Sequence, residues 1–224
     1  MKTPLPFRDR QEAGRVLAAR LSHLQGHDDL LVLALPRGGV AVGFEVARAL
    51  HAQLDVFIVR KLGMPGHEEY AMGAIASGGV QVMNDLQGWS VGEREIAIVV
   101  AREQEELKRR ERLYRSGRDP VEIEDRTVVV VDDGLATGAT MRAAVAAIRK
   151  QRPARLIVAV PVGAQETCEL LLRVADEVVC AASPTPFRAV GLWYGHFPQS
   201  TDDEVRDLLA NALTPLDATE HHPQ

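Results

Sequence analysis

The residues best suited to chemistry are Asp132 and Asp133, which close the apolar run Val128-Val129-Val130-Val131. They are followed by Gly134-Leu135-Ala136-Thr137-Gly138-Ala139-Thr140. An apolar run, two carboxylates, a turn of small residues and then a helical pattern make an anion cradle. Small side chains let several backbone N–H groups converge on one anion, and the helix N-terminus adds the positive end of its dipole. Thr137 and Thr140 add hydroxyl donors. Carboxylates repel a phosphate they touch but accept hydrogen bonds from hydroxyls. The fitting ligand therefore carries a diol beside its phosphate, as ribose 5-phosphate does. The stretch is not the phosphate loop of nucleotide hydrolases, because no lysine follows the final glycine. Nor does Gly38-Gly39-Val40-Ala41-Val42-Gly43 match the dinucleotide fingerprint.

The elements that must position this loop can be read on either side of it. Asp9 and Glu12 make a capping-box pattern that opens a helix to about Leu24. Short apolar runs predict buried strands at Leu30 to Leu35, Asp55 to Arg60, Thr127 to Val131, Leu156 to Val160 and Glu177 to Ala181. Helical patterns lie between most of them: Val40 to His51, Gly92 to Arg115, the stretch after the loop to about Gln151, and Ala164 to Val174. Leu62 to Tyr70, with Gly63, Pro65 and Gly66, predicts a loop. Met72 to Ala76 and Val80 to Met83 predict a hairpin joined at Ser77-Gly78-Gly79. Thr201 and Glu204 form a second capping box, opening a final helix to about Leu213.

Strands alternating with helices imply an α/β fold, a mainly parallel twisted sheet with right-handed crossovers and helices on both faces. Ligands of such sheets collect at the carboxyl ends of the strands. Three of those ends carry polar punctuation: Pro36-Arg37-Gly38-Gly39, Arg60-Lys61 and Asp132-Asp133. The expected organisation is a single domain over residues 1–215 with a polar tail over 216–224.

Composition narrows the function classes. With 26 Lys and Arg against 31 Asp and Glu, the net charge of −5 argues against broad nucleic-acid binding. On the long helix Glu105→Arg109, Glu106→Arg110 and Glu111→Arg115 fall at i,i+4 spacing and describe a solvated face. No apolar run reaches the roughly 18 residues of a membrane span. Met1 to Arg10 carries prolines and charges where a signal peptide has an apolar core. The expectation is a cytoplasmic protein with two reduced thiols, Cys168 and Cys180. The histidines form no ligand cluster, so no metal site made of protein groups alone is expected.

The segment Val128 to Thr140 resembles the signature of the type I phosphoribosyltransferases: four apolar residues, two acids and a small-residue loop ending Thr-Gly-x-Thr. Its form, Asp-Asp-x-Leu-Ala-Thr-Gly-x-Thr, is most similar to that of adenine phosphoribosyltransferases. The resemblance covers the core from about Leu30 to Ala181. It implies that the loop holds the 5-phosphate of phosphoribosyl pyrophosphate on backbone amides while Asp132 and Asp133 hold the ribose hydroxyls. It further implies a pyrophosphate loop at Pro36-Arg37-Gly38-Gly39. There the double glycine permits close backbone approach, and Arg37, Arg60 and Lys61 meet the departing pyrophosphate. Leu62 to Ala71 takes the place of a mobile hood over the strand ends.

What the resemblance implies for the rest of the site is less complete. The aspartate that hypoxanthine-guanine enzymes aim at the base is replaced here by Ala136, so that role cannot be carried over. Glu68 and Glu69 on the hood are the candidates for handling the base's proton, although adjacent loop glutamates also serve as plain solvated charge. Phe187, Trp193 and Tyr194 either stack on a base or plug the core. The implied partners are phosphoribosyl pyrophosphate and a nitrogenous acceptor such as a nucleobase. Mg²⁺ would be carried on the substrate, water-bridged to Asp132 and Asp133, and subunits of this family often pair near the active site. The implied activity is transfer of ribose 5-phosphate to the acceptor with release of pyrophosphate. The alternative is a sensor that binds phosphoribosyl pyrophosphate or a nucleotide and performs no transfer.

Overall fold

In a computed structural model of the chain, the structure describes residues 5–84 and 92–212, apart from the side chains of Glu68 and Glu69. The expected tail at 216–224 lies outside the described residues.

Five parallel strands form the central sheet. They are β1 (Leu30–Ala34), β2 (Gln53–Val56), β6 (Thr127–Val131), β7 (Arg155–Val162) and β8 (Glu177–Ala182), in the order β2-β1-β6-β7-β8. Every residue of β1 and β6 is buried, as expected where both faces of a sheet are covered. The two-residue period divides each strand between two cores. Leu30, Val32 and Ala34 of β1, with Val129 and Val131 of β6, pack toward α1 (Arg10–Arg20), α2 (Gly38–Leu50), α3 (Glu93–Arg115) and α6 (Asp202–Asn211). Leu31 and Leu33, with Val128 and Val130, pack toward α4 (Ala139–Arg149) and α5 (Gln165–Leu171).

The strand order places a topological switch point between β1 and β6. From β1 the chain winds outward to β2, and from β6 it winds the other way to β7 and β8. Loops leaving two adjacent strands in opposite directions open a crevice at their carboxyl ends. The loops that leave there are Leu35 to Arg37 and Asp132 to Gly138.

Two expectations need correction. Asp55 to Arg60 is not one buried strand, because the chain breaks at Phe57 and Ile58. Arg60 and Lys61 belong instead to β3 (Val59–Met64) of a separate antiparallel sheet with β4 (His67–Ala76) and β5 (Val80–Met83). Leu62 to Tyr70 is not an open loop. Most of it lies in the β3–β4 hairpin, with a bulged register between Leu62 and Met64 and a turn at Pro65-Gly66. Pro65 and Gly66 do mark a turn, but they occupy only its tip. The Ser77-Gly78-Gly79 connection does join β4 to β5.

On α3, Arg110 bonds Glu106 and Arg115 bonds Glu111 at the expected spacing, whereas Glu105 pairs with Lys108 at i,i+3. The helix is not solvated on every face. Arg115 is 4 % exposed and donates from Nε to Asp55 Oδ2 at 2.9 Å and from Nη2 to the Val56 carbonyl at 2.9 Å. Asp55 Oδ1 accepts from the Val56 N–H as well. A buried ion pair gains little over an apolar pair, but losing one partner strands the other charge, at about 3–5 kcal/mol. Arg115→Met is therefore expected to lower unfolding free energy by about 3–5 kcal/mol in urea titrations, and Asp55→Asn with Arg115→Met to recover part of the loss.

Candidate functional site

The loop after β6 is pinned to the central sheet at its middle. The Leu135 N–H donates to the Val162 carbonyl at 2.9 Å, and the Ala164 N–H donates to the Leu135 carbonyl at 2.9 Å. Thr167 Oγ1 donates to the Ala136 carbonyl at 2.7 Å, and Arg142 Nη1 donates to the Thr137 carbonyl at 2.7 Å. The carbonyls of Leu135, Ala136 and Thr137 are thus tied down on the protein side. Gly138 is the N-cap of α4 at φ +69°, in the left-handed region that glycine adopts freely, and a Cβ there would meet Thr167 Cγ2 at 2.5 Å. Ala136, Thr137, Ala139 and Thr140 are exposed, as a binding surface requires. Gly138, the N-cap, has no side chain with which to cap the end of α4.

The second loop lies directly against the carboxylates. Leu35 N–H donates to the Val131 carbonyl at 2.8 Å, continuing the β1–β6 pairing into the loop, and the Pro36–Arg37 peptide is cis. A Cβ on Gly38 would stand 1.9 Å from Asp133 Oδ2, and one on Gly39 would stand 2.9 Å from the Val131 carbonyl oxygen. The two glycines are thus required by close approach, since neither has a positive φ. The residues of this junction are plain in the sequence, and the strand order makes them neighbours.

Asp132 and Asp133 are half-buried side by side. Burial, and then the Asp133 charge, push the Asp132 carboxyl well above the usual carboxylate range, although its Oδ1 accepts from the Asp133 N–H at 2.8 Å. Burial also raises Asp133, and Arg10 acts against that rise. Arg10 Nε donates to Asp133 Oδ2 at 2.8 Å, and its Nη1 donates to the Pro198 carbonyl at 2.7 Å. Its guanidinium carbon sits 3.8 Å above the Phe197 ring centre. Sequence reasoning misses Arg10. It sits 123 residues from its carboxylate, in a helix whose only legible signal is its cap. That cap holds: the Glu12 N–H donates to Asp9 Oδ1 at 2.8 Å.

The other sequence candidates spread around this centre. Lys61 shares a cavity of about 440 Å³ with Ala139, Thr140 and Arg142, between the second sheet and α4. Arg60 points away to α3, where its Nη2 donates to Glu103 Oε2 at 2.6 Å. Arg37 is 3.9 Å from Asp202 of α6 and lines a second cavity of about 420 Å³ with Arg10, His196 and Glu204. Asp202 also accepts a 2.6 Å bond from the Tyr114 hydroxyl, whose titration burial pushes up to about 12. The Glu68 and Glu69 side chains lie outside the described residues.

The late aromatics close one side of the loop. Tyr194 is buried; its hydroxyl donates to the Asp133 carbonyl at 2.5 Å and its ring stacks on Phe197 with centroids 4.7 Å apart. Phe187 and Trp193 stack on each other at 6.4 Å and are only partly buried. Between them Val190 packs onto Gly134, where a Cβ would meet it at 2.4 Å. Among the described residues no cluster of three or more His, Cys, Asp or Glu could hold a metal, and no helix is long and apolar enough to cross a membrane.

This arrangement has counterparts among known proteins. A crystal structure of TT1426 from Thermus thermophilus is 42% identical in sequence. It overlays with a TM-score of 0.81, covering 94% of this chain and 99% of that one. Two Mycobacterium tuberculosis proteins, from strains CDC 1551 and H37Rv, are named provisionally as phosphoribosyl transferases. Each is 46% identical over 208 residues, or 92% of this chain. The chain spans 47% of the length of each of these relatives. The family model of the phosphoribosyl transferase domain matches residues 9–185, from the N-cap of α1 through β8 and both glycine-rich loops. The match spans both loops that bound the switch-point crevice, and the chain belongs to the phosphoribosyl transferase domain family.

Proposed function

We propose that the chain binds phosphoribosyl pyrophosphate and transfers its ribose 5-phosphate to a nitrogenous acceptor, releasing pyrophosphate. One observation carries the reading. Two glycine-rich turns leave adjacent parallel strands and meet at Gly38 and Asp133, so a phosphate cradle, a carboxylate pair and a second backbone turn face one crevice. A ligand with an anion at each end and a diol between them matches that order of groups.

The residues divide the work. Backbone N–H groups from Ala136 to Thr140, with the Thr137 and Thr140 hydroxyls, take the 5-phosphate at the N-terminus of α4. Asp132 and Asp133 accept from the ribose hydroxyls. The turn at Gly38 and Gly39 takes pyrophosphate, with Lys61 and Arg37 supplying positive charge from either side. During transfer the C1–O bond to pyrophosphate breaks while a bond from the acceptor nitrogen to C1 forms. The leaving group carries off the electron pair, and the acceptor nitrogen sheds a proton. Positive charge collects on the ring, as in other glycosyl transfers. Positioning and charge stabilisation of the leaving group are then the protein's main contributions. Phe187 and Trp193, being partly open, offer the acceptor a flat surface, whereas Tyr194 is already used in packing. Glu68 and Glu69 are the candidates to take its proton.

Magnesium fits as a passenger. Each carboxylate has an oxygen already bonded within the protein, which leaves too few protein oxygens for a dedicated cage but enough to hold metal-bound water. When bound, Mg²⁺ would screen the charge of the pyrophosphate oxygens.

The direct test incubates the protein with phosphoribosyl pyrophosphate, Mg²⁺ and a panel of bases while recording pyrophosphate release. Binding without release on any acceptor would leave the sugar-phosphate site standing and remove the transfer. Gly138→Val imposes both an unfavourable backbone conformation and a clash with Thr167. It is expected to weaken calorimetric binding of ribose 5-phosphate by at least about tenfold in a folded protein; unchanged affinity would take the loop out of the site. Lys61→Ala is expected to bind ribose 5-phosphate like the parent but to lose about 10²–10³ in turnover, the usual cost of a group aimed at developing charge.

A further inference from the structure

We propose that Arg10 is a positioning residue of this site: it holds Asp133 as a carboxylate and commits one of its two oxygens, leaving Oδ1 to accept from the ribose diol. The proposal deepens the ribose 5-phosphate reading and depends on it for the identity of the ligand.

The geometry is specific. From its place at the start of α1, Arg10 is anchored by two contacts that have nothing to do with a ligand, the hydrogen bond to the Pro198 carbonyl and the stack on Phe197. Its side chain is 12 % exposed and that of Asp133 is 17 % exposed, so the pair is poorly screened by water. Gly38 seals it from the opposite side. A Cβ at that position would fall 3.0 Å from Arg10 Nε as well as 1.9 Å from Asp133 Oδ2. The pair therefore sits at the seam between the two loops, where a rotation of the carboxylate would be felt by both. A planar guanidinium fixed in this way sets the orientation of the carboxylate it bonds.

The charge argument points the same way. Both acids are half-buried, burial raises both, and the Asp133 charge adds to the rise of Asp132. A protonated carboxyl is a poorer acceptor for a sugar hydroxyl than a carboxylate. The titratable and charged groups facing Asp133 are Asp132 on its own loop, Arg10 from α1 and the Tyr194 phenol, which donates to its main-chain carbonyl. Burial drives Asp133 toward protonation, and Arg10 opposes it. A group whose titration is raised by burial loses its carboxylate as pH falls, so removing Arg10 moves that loss to higher pH.

Calorimetric titrations of Arg10→Gln with ribose 5-phosphate and with inorganic phosphate across pH 5–8 test the idea. The acid limb of ribose 5-phosphate binding should shift upward by about one pH unit, equal to about a tenfold weaker affinity on that limb, while phosphate affinity stays within twofold. Arg10→Lys should return the limb toward the parent's, because the charge is restored, but recover affinity only in part, because the fork and the stack are lost. An unshifted limb in Arg10→Gln, or equal losses for both ligands with Arg10→Lys no better, would overturn the proposal. A second measurement needs no ligand. The ¹³C-carboxyl titration of Asp133, assigned through Asp133→Asn, should move upward in Arg10→Gln and back in Arg10→Lys. If the parent protein binds no ribose 5-phosphate, the functional reading fails on its own. The carboxyl titration then decides whether Arg10 governs Asp133, and an unchanged titration refutes it.

Discussion

Two adjacent carboxylates at the buried end of a parallel strand are an electrostatic liability, and much of the architecture around β6 can be understood as its management. Withdrawing each charge from water costs several kcal/mol unless partners replace the lost hydration. Here the partners come from four parts of the chain. The Asp133 N–H answers Asp132 locally, Arg10 answers Asp133 from α1, Gly38 makes room for the pair, and the Tyr194 hydroxyl ties the backbone beneath them. None of these groups is near another in sequence except the two acids. Keeping acids in such a place is costly for folding, and the cost is intelligible if the acids are kept for a hydroxyl-bearing ligand.

The contrast with the other buried pair is instructive. Asp55 and Arg115 also bring an acid and an arginine out of water, but Asp55 is satisfied on both oxygens, by Arg115 and by main-chain N–H groups. That pair is closed and belongs to the scaffold, fastening α3 to the edge of the sheet. Arg10 and Asp133 are partnered too, yet the loop that follows them presents exposed small residues instead of more packing. Similar chemistry thus serves two ends, and what separates them is whether the neighbouring backbone is covered.

Legibility in the sequence follows range. The apolar strands β1 and β6 are plain because both faces of the sheet are covered, and the loop after β6 is plain because two acids and a run of small residues break the apolar pattern there. Arg60 and Lys61 read wrongly as the end of one long strand. Val59 continues the apolar run across Phe57 and Ile58, and only tertiary pairing shows that the chain changes sheets there. The hairpin over Leu62 to Tyr70 is hidden by Gly63, Pro65 and Gly66, which read as loop residues although a bulged antiparallel pair accommodates them. Arg10 is illegible for a different reason. An arginine in the first turn of a helix is ordinary until strand order brings β6 beside β1 and sets Asp133 beneath it.

The family match ends at residue 185, whereas the groups that orient Arg10, Phe197 and the Pro198 carbonyl, come later, as does Tyr194, which bonds the Asp133 carbonyl. The loops that would grip a sugar phosphate thus lie inside the common domain, and a part of the apparatus that sets their charge lies beyond it. The same late segment walls the cavity holding Arg37 and leads into α6, whose Asp202 faces that arginine. A change in this segment can therefore reach the carboxylates through Arg10 and the second loop through Arg37 without altering a residue of either loop. The loops are constrained by backbone geometry, whereas the late segment acts on them through side chains, Phe197 on Arg10, Tyr194 on the Asp133 carbonyl and Val190 on Gly134.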